Sequence, residues 1–379
     1  MLPDVPEWQN PEGDWTHGLE AFSKYNQDAH LMETSVRLFL EECDSFQGLQ
    51  VTNDSSTFGS FTRSFLTAFQ DELSHASTLT IPMLSDALPN QSESTTPLHM
   101  KKTINDALYL RDLHELSLLN VPIQSSKKWS SIPGTSLDLD GSLYHSSALL
   151  SAHVETFTLP LRLSDSKENL QNFAAELFWP GPRFGQLSGI FPAQLGSSFT
   201  RLEKSVNFSS GAFKVSNAPC FGCKNVTRGL TIPYIEEYNT WISTLTSSVG
   251  YKDAVITSAH LPAYPLPSSF PDFFQDTSIL RSRIQNKPRS RTVSSPGEVP
   301  CVTSMSSLSS TSETANFFAA YAKYVDRCIE RRKSGEQVSG IDEPDVLKEL
   351  ANDLWTMHDG YGIDADSSLG ADDGIEDDD

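Results

Sequence analysis

Long apolar runs are missing from this sequence. None approaches the ~18–20 consecutive apolar residues that cross a bilayer, so no membrane-spanning helix is expected. The first residues, Met1-Leu2-Pro3-Asp4-Val5-Pro6-Glu7-Trp8, hold no basic stretch, no apolar core and no Arg-rich amphipathic presequence, so they predict no cleaved import signal. Cysteine is scarce. Five occur, an odd number, at 43, 220, 223, 301 and 328. That pattern excludes a disulfide framework and fits a reducing compartment. Positive charge is also short, with 28 Lys and Arg against 49 Asp and Glu and a net charge of −21. A protein that binds phosphate backbones over its general surface needs the opposite balance, so no direct nucleic-acid partner is expected. Also absent are G-x-S-x-G, H-E-x-x-H, a P-loop lysine motif and any repeat of fixed period.

What is present suffices for a folded core. The chain has 379 residues, 38% hydrophobic and 10% aromatic. That length predicts two or three domains, or one large two-part unit. Eight acidic residues and no basic one fall between Asp364 and Asp379, so the remainder still carries −13. The tail has almost nothing to bury and is expected to stay solvated.

Periodicity then gives the order of elements. A helical stripe runs from Leu19 to Cys43, and Phe46 to Val51 is extended. Phe58 to Leu73 is helical, with Phe61, Phe65, Phe69 and Leu73 at four-residue intervals. Thr78 to Leu84 reads as a buried strand whose Pro82 belongs at an end or an edge. Ile104 to Leu116 is a helix, Ser117 to Ile123 a strand, and Leu143 to Phe157 a helix from which Thr158 to Leu163 extends. Helices alternating with short apolar strands predict an α/β fold with parallel strands. Leu170 to Leu177 is a short helix, and strands are expected near 199–215 and 251–261. Arg281, Arg283, Lys287, Arg289 and Arg291 precede a Ser/Thr-rich run, which reads as a solvated linker. Amphipathic helices over 314–332 and 342–357 follow.

Chemistry-bearing patterns are few. Cys220-Phe-Gly-Cys223 has redox or metal spacing, but no second pair of ligands accompanies it, so a structural role is expected. His114 beside Glu115 reads as a helix surface or capping arrangement. The remaining feature is a helix, a strand, a small-residue turn and a second helix between Leu40 and Leu73. Such a turn cradles phosphate when it is glycine-rich, because backbone N–H groups and the helix dipole converge there.

This stretch resembles the tubulin superfamily, in which a C-x-x-L-Q-G-F-like strand enters a G-G-G-T-G-S-G loop and then a helix. Cys43, Asp44, Ser45, Phe46, Gln47, Gly48 and Leu49 follow the first part. Asp54, Ser55, Ser56, Thr57, Phe58, Gly59 and Ser60 stand where the loop belongs. With Gln70-Asp71-Glu72 the pattern is similar to the Misato family in its fungal-type form, most strongly over 14–123 and more thinly to about 185. Ile104, Asn105, Leu108, Glu115 and Ser117 fall on the Y-N-x-x-L…L-E-x-S helix, which makes Asn105 the implied base-reading residue. Leu161, Arg162, Leu170, Phe173, Leu177, Pro182 and Arg183 resemble the catalytic-loop and N-L-V-P-Y-P-R landmarks, and the loop's acid falls on Asn169.

The resemblance implies a tubulin/FtsZ-like α/β fold. Its parts would be an irregular N-terminus (1–13), a remnant nucleotide-type domain (14–160), an intermediate-type domain (161–275), a basic and Ser-rich linker (276–312), C-terminal helices (313–358) and an acidic disordered tail (359–379). It also implies a first strand and a G-Q-x-G-N-like loop upstream of anything seen here, so the chain is expected to lack that N-terminal segment. Asn105, Gly59 and Ser60 are the implied vestigial nucleotide-site positions. A single glycine in the loop leaves β-carbons crowding the phosphates. Asp54 sets a like charge against a triphosphate, worth ~4 kcal/mol of repulsion at ~4 Å and an effective dielectric of ~20. GTP is therefore disfavoured, no other cofactor and no metal is expected, and the chain reads as no enzyme. The Misato resemblance implies a non-catalytic role in partitioning mitochondria and in mitochondrial DNA inheritance. The implied partners are proteins at the mitochondrion or cytoskeleton, met at the outer surface, with a cytoplasmic pool and with self-association left open. The alternatives are a GTP-binding, polymer-forming tubulin relative and a small-molecule enzyme on an α/β fold.

Overall fold

The computed structural model describes residues 15–74, 76–89, 96–129, 142–178, 183–191, 205–209, 218–271, 301–335 and 344–361. The expected irregular N-terminus, the basic run at 281–291, Pro182 and the acidic tail from 362 lie outside the described residues.

The first helical stripe is broken. Helix α1 spans Trp15–Ala29, a π-turn covers Met32–Val36, and α2 spans Arg37–Glu42. His30 sits at φ 48° between α1 and the π-turn. A non-glycine residue in that region interrupts helical hydrogen bonding, a feature periodicity does not register. Strand β1 (Leu49–Asp54) runs directly into α3 (Ser55–Glu72), followed by β2 (Thr78–Met83), α4 (Pro97–Leu116) and β3 (Leu119–Asn120). Thr96 caps α4 by accepting from the His99 N–H at 3.3 Å, and Pro97 opens its first turn. The three strands pair in parallel in the order β1-β2-β3, as the alternation of elements predicts. Pro82 lies opposite Asn53, one residue from the end of the ladder, where a missing N–H is tolerated.

Helices α5 (Leu143–Thr158) and α6 (Leu170–Phe178) lead to a second sheet. The segment that continues from α5 is a 3-10 turn over Leu159–Arg162. The second sheet contains β4 (Gln186–Ile190), β5 (Val206–Asn207), β6 (Cys220–Arg228) and β7 (Val255–Leu261), with α7 (Ile232–Thr246) between the last two. A small pair, β8 (Tyr264–Pro265) with β9 (Cys301–Val302), precedes β10 (Ser304–Thr311). The order is β5-β4-β10-β6-β7, with β10 antiparallel to both neighbours and β6 parallel to β7.

Strand β10 corrects the linker reading at its C-terminal end. Residues 304–311 form the middle strand of five rather than a linker. The run is Ser-rich, but Met305 and Leu308 are buried in the core and Ser306 sits under α5, its Oγ 2.8 Å from His153 Nδ1. Small polar residues let the helix approach the sheet closely, and composition alone cannot distinguish that use from solvation.

Helices α8 (Glu313–Lys333) and α9 (Pro344–Asp359) pack on each other and on α4, close to the expected spans. One core joins Leu79, Ile81, Leu119 and Val121 to α5, α6 and the second sheet. The other joins α4 to α8 and α9 through Ile104, Tyr109, Leu113, Phe318, Tyr321 and Leu354. The two sheets touch where Asn120 donates to Arg183 O and accepts from Gly185 N–H, both at 2.8 Å. Arg183 also donates from Nη1 to the carbonyls of His114 (3.1 Å) and Glu115 (3.2 Å), placing a cation at the negative end of α4.

Candidate functional site

The corner between β1 and α3 is where a phosphate cradle would lie. Its approach keeps one strict backbone requirement. Gly48 has φ 144°, and a Cβ there would lie 2.7 Å from the Ser77 carbonyl oxygen, so only glycine fits before β1. Past that point no loop remains: Asp54 ends the strand and caps the helix. Its Oδ1 accepts from the Thr57 N–H at 3.0 Å and the Ser56 Oγ at 2.9 Å. A helix N-terminus attracts anions because its first N–H groups lack partners. Here the chain's own carboxylate takes that place.

The three expected site positions are brought together, but they face protein. Asn105 is 2% exposed and donates from Nδ2 to the Ser56 carbonyl at 2.9 Å, tying α4 to the first turn of α3. Gly59 lies inside α3. A Cβ on it would lie 3.1 Å from Tyr109 Cγ and 3.3 Å from the Trp15 ring, so this glycine serves helix packing. Ser60 is buried against α1, close to Gly18. Sequence reasoning placed Ser55 only in the loop and missed Ser85, Asp106 and Tyr109. Tyr109 donates to Asn53 Oδ1 at 2.8 Å. Asp106, fully buried, contacts Ser55 Oγ at 2.5 Å and Ser85 Oγ at 2.6 Å. Burial raises its pKa to about 7 against the pull of those hydrogen bonds. The one sequence signal was an acid between Ile104 and the Ala107–Leu110 run, the apolar part of α4.

The loop expected to carry a catalytic acid is also turned to structural use. Asn169 caps α6, accepting the Asn172 N–H at 2.8 Å. Glu168 next to it lies 2.8 Å from Lys224 Nζ, and Glu176 lies 2.7 Å from the same atom. Lys224 is 2% exposed and stands 4.6 Å from the Phe173 ring centroid. Leu163 to Glu168, with Asn172, Glu176, Ala259 and Leu261, line a cavity of about 540 Å³. Cys220 and Cys223 are buried free thiols on β6 whose pKa values burial raises, which leaves no reactive thiolate. Among the described residues no three His, Cys, Asp or Glu side chains gather as a metal set. His114 is half-buried in the last turn of α4, its ring parallel to that of Phe184 at 6.3 Å.

The parallel strand–helix alternation that enters this corner lies within residues 4–163, which the family model of the tubulin domain matches, and the fold is a tubulin-like α/β one. Within that class the matched stretch is similar to the misato and dml1 proteins. The protein misato of Drosophila melanogaster is 30% identical over 188 residues, covering 47% of this chain and 32% of that protein. The protein dml1 of Aspergillus niger is 32% identical over 155 residues, covering 40% and 30%. The protein dml1 of Schizosaccharomyces pombe is 28% identical over 151 residues, covering 39% and 30%. The chain thus spans about a third of the length of the curated relatives it matches.

Proposed function

We propose that this chain is a non-catalytic tubulin-like protein that works in partitioning the mitochondrial organelle and in mitochondrial DNA inheritance. It does so through contacts with protein partners at the mitochondrion or the cytoskeleton. The similarity to misato and dml1 proteins and the Misato-type motif support the mitochondrial part. One observation carries the non-catalytic part. Asp54 caps the α3 N-terminus by taking the Thr57 N–H while Asn105, Gly59 and Ser60 are spent on packing, so a carboxylate already stands where a triphosphate would bind. The place proposed is peripheral, at the outer surface; among the described residues no helix is long and apolar enough to cross a membrane.

Calorimetric titration and filter binding with GTP test this reading. The expected result is no saturable binding at micromolar protein. Tight binding that Asn105→Ala abolishes would overturn it in favour of a GTP-binding, polymer-forming relative. Fractionation tests the location: the protein should co-sediment with mitochondria, remain open to added protease and be released by alkaline carbonate. Protection from protease in intact mitochondria would place it inside instead.

A further inference from the structure

We propose that Asp106 is carried as a carboxylic acid whose proton locks the β1–α3 corner to α4 and to the segment after β2. The argument is a count of hydrogens. Ser55 Oγ stands 3.0 Å from the Met83 carbonyl oxygen and 2.5 Å from Asp106 Oδ1. Ser55 has one hydroxyl hydrogen and a carbonyl oxygen only accepts, so for both contacts to be hydrogen bonds that hydrogen goes to Met83. The shorter contact then needs a hydrogen from the other side, and only a protonated carboxyl has one. The second oxygen is the better acceptor: Ser85 N–H lies 3.1 Å from Oδ2 against 3.4 Å from Oδ1, and Ser85 Oγ lies 2.6 Å from Oδ2. Ser85 Oγ accepts from the Ala87 N–H at 3.3 Å, so its own hydrogen is available for Asp106. One oxygen donates and one accepts, which is the inventory of the acid form.

The surroundings favour that form. Asp106 and Ser55 have no exposed surface. The charged or titratable groups facing the site are Asp54 at the end of β1, a like charge, and Tyr321 of α8. The Tyr321 hydroxyl is buried with no hydrogen-bond partner among the described residues. Lys102, one turn earlier on α4, is drawn outward to Asp86 at 2.9 Å, and Asp86 also holds Lys127. Among the described residues no cation is thus placed to neutralise an ionised Asp106. On losing its proton the carboxylate claims the Ser55 hydrogen, Met83 loses its partner, and an uncompensated charge remains in an apolar pocket. The corner holds in the protonated state and loosens as pH rises through the titration of Asp106.

Two measurements on the full chain test this, and neither depends on whether GTP binds. In isotope-edited infrared spectra with labelled aspartate, a protonated-carboxyl band should persist at about pH 6, where exposed carboxylates are ionised. It should fade by about pH 9 and be missing from Asp106→Asn, which offers one donor and one acceptor as the acid does. In hydrogen exchange, amides of residues 55–60, corrected for intrinsic hydroxide catalysis, should exchange about tenfold faster across the same range in the wild type. The variant should show no such change. If the variant does not fold, the wild-type exchange titration decides alone. A band that survives in Asp106→Asn, or pH-independent protection in the wild type, overturns the proposal.

Discussion

Asn105 shows how a residue type can be kept while its use changes. Its amide reads as a ligand contact in sequence and serves as a tie between α4 and the first turn of α3. Asn105→Ala should therefore lower stability by about 1–2 kcal/mol, seen as a lower denaturant midpoint at unchanged slope, whether or not GTP is present. His153 is a second residue with a defined consequence. It is fully buried, its Nδ1 lies 2.8 Å from Ser306 Oγ, and burial depresses its pKa to about 3. The unfolded chain takes up this proton near its usual value of about 6.5 while the folded chain does not. The stability His153 contributes is therefore present above about pH 6.5 and drains as pH falls toward about 3. Asp106 has the opposite sign. Its folded pKa is raised to about 7, so its contribution is full below its unfolded value near 3.8 and is lost as pH rises through about 7. The two partly cancel between about pH 4 and pH 6.5. Asp106→Asn should then steepen the loss of stability on acidification, whereas His153→Gln should flatten it; denaturant midpoints at several pH values separate the two.

Among the elements, strand β6 concentrates the demands of the second sheet. A Cβ at Gly222 would lie 2.6 Å from the Glu176 carbonyl oxygen and 2.7 Å from Leu177 Cα. Gly222→Ala should push α6 off the sheet and cost about 1–3 kcal/mol, read by thermal unfolding. Two residues on, Lys224 neutralises Glu168 and Glu176 from inside. Both carboxylates are about one-third exposed, so they rehydrate in part when the cation is removed. Lys224→Met should cost about 2–4 kcal/mol, less at low pH where the acids are protonated, measured by denaturant titration at two pH values. The elements themselves were largely legible. The parallel pairing of the first sheet, α3, the C-terminal part of α4, α5 and the α8–α9 pair follow from the alternation and periodicity of apolar residues. Strands β4, β6 and β10 and helix α7 were not. Strand β6 is buried on both faces and holds Lys224, Asn225, Thr227 and Arg228, so it shows no alternation, and β10 is disguised by its serines.

The whole molecule carries −21, a field that repels polyphosphates and attracts basic partners in a salt-dependent way. It should leave duplex DNA unretarded in electrophoresis at about 0.15 M salt; a shift at that ionic strength contradicts the assignment. By itself the sequence determined what local chemistry can encode: the alternation of the first half, the glycine before β1, the C-terminal helix pair and the acidic excess. These depend on residue spacing of two, three or four, which a linear chain displays openly. Only the tertiary structure decided that the phosphate-type corner is filled by its own carboxylates and that a serine-rich run is a central strand. It also decided that Glu168, beside the loop position held by Asn169, pairs with a buried lysine. Those outcomes rest on contacts between residues far apart in the chain, such as Ser55 with Asp106 and His153 with Ser306. Their energies come from excluding water around groups that meet only after the helices and sheets have packed.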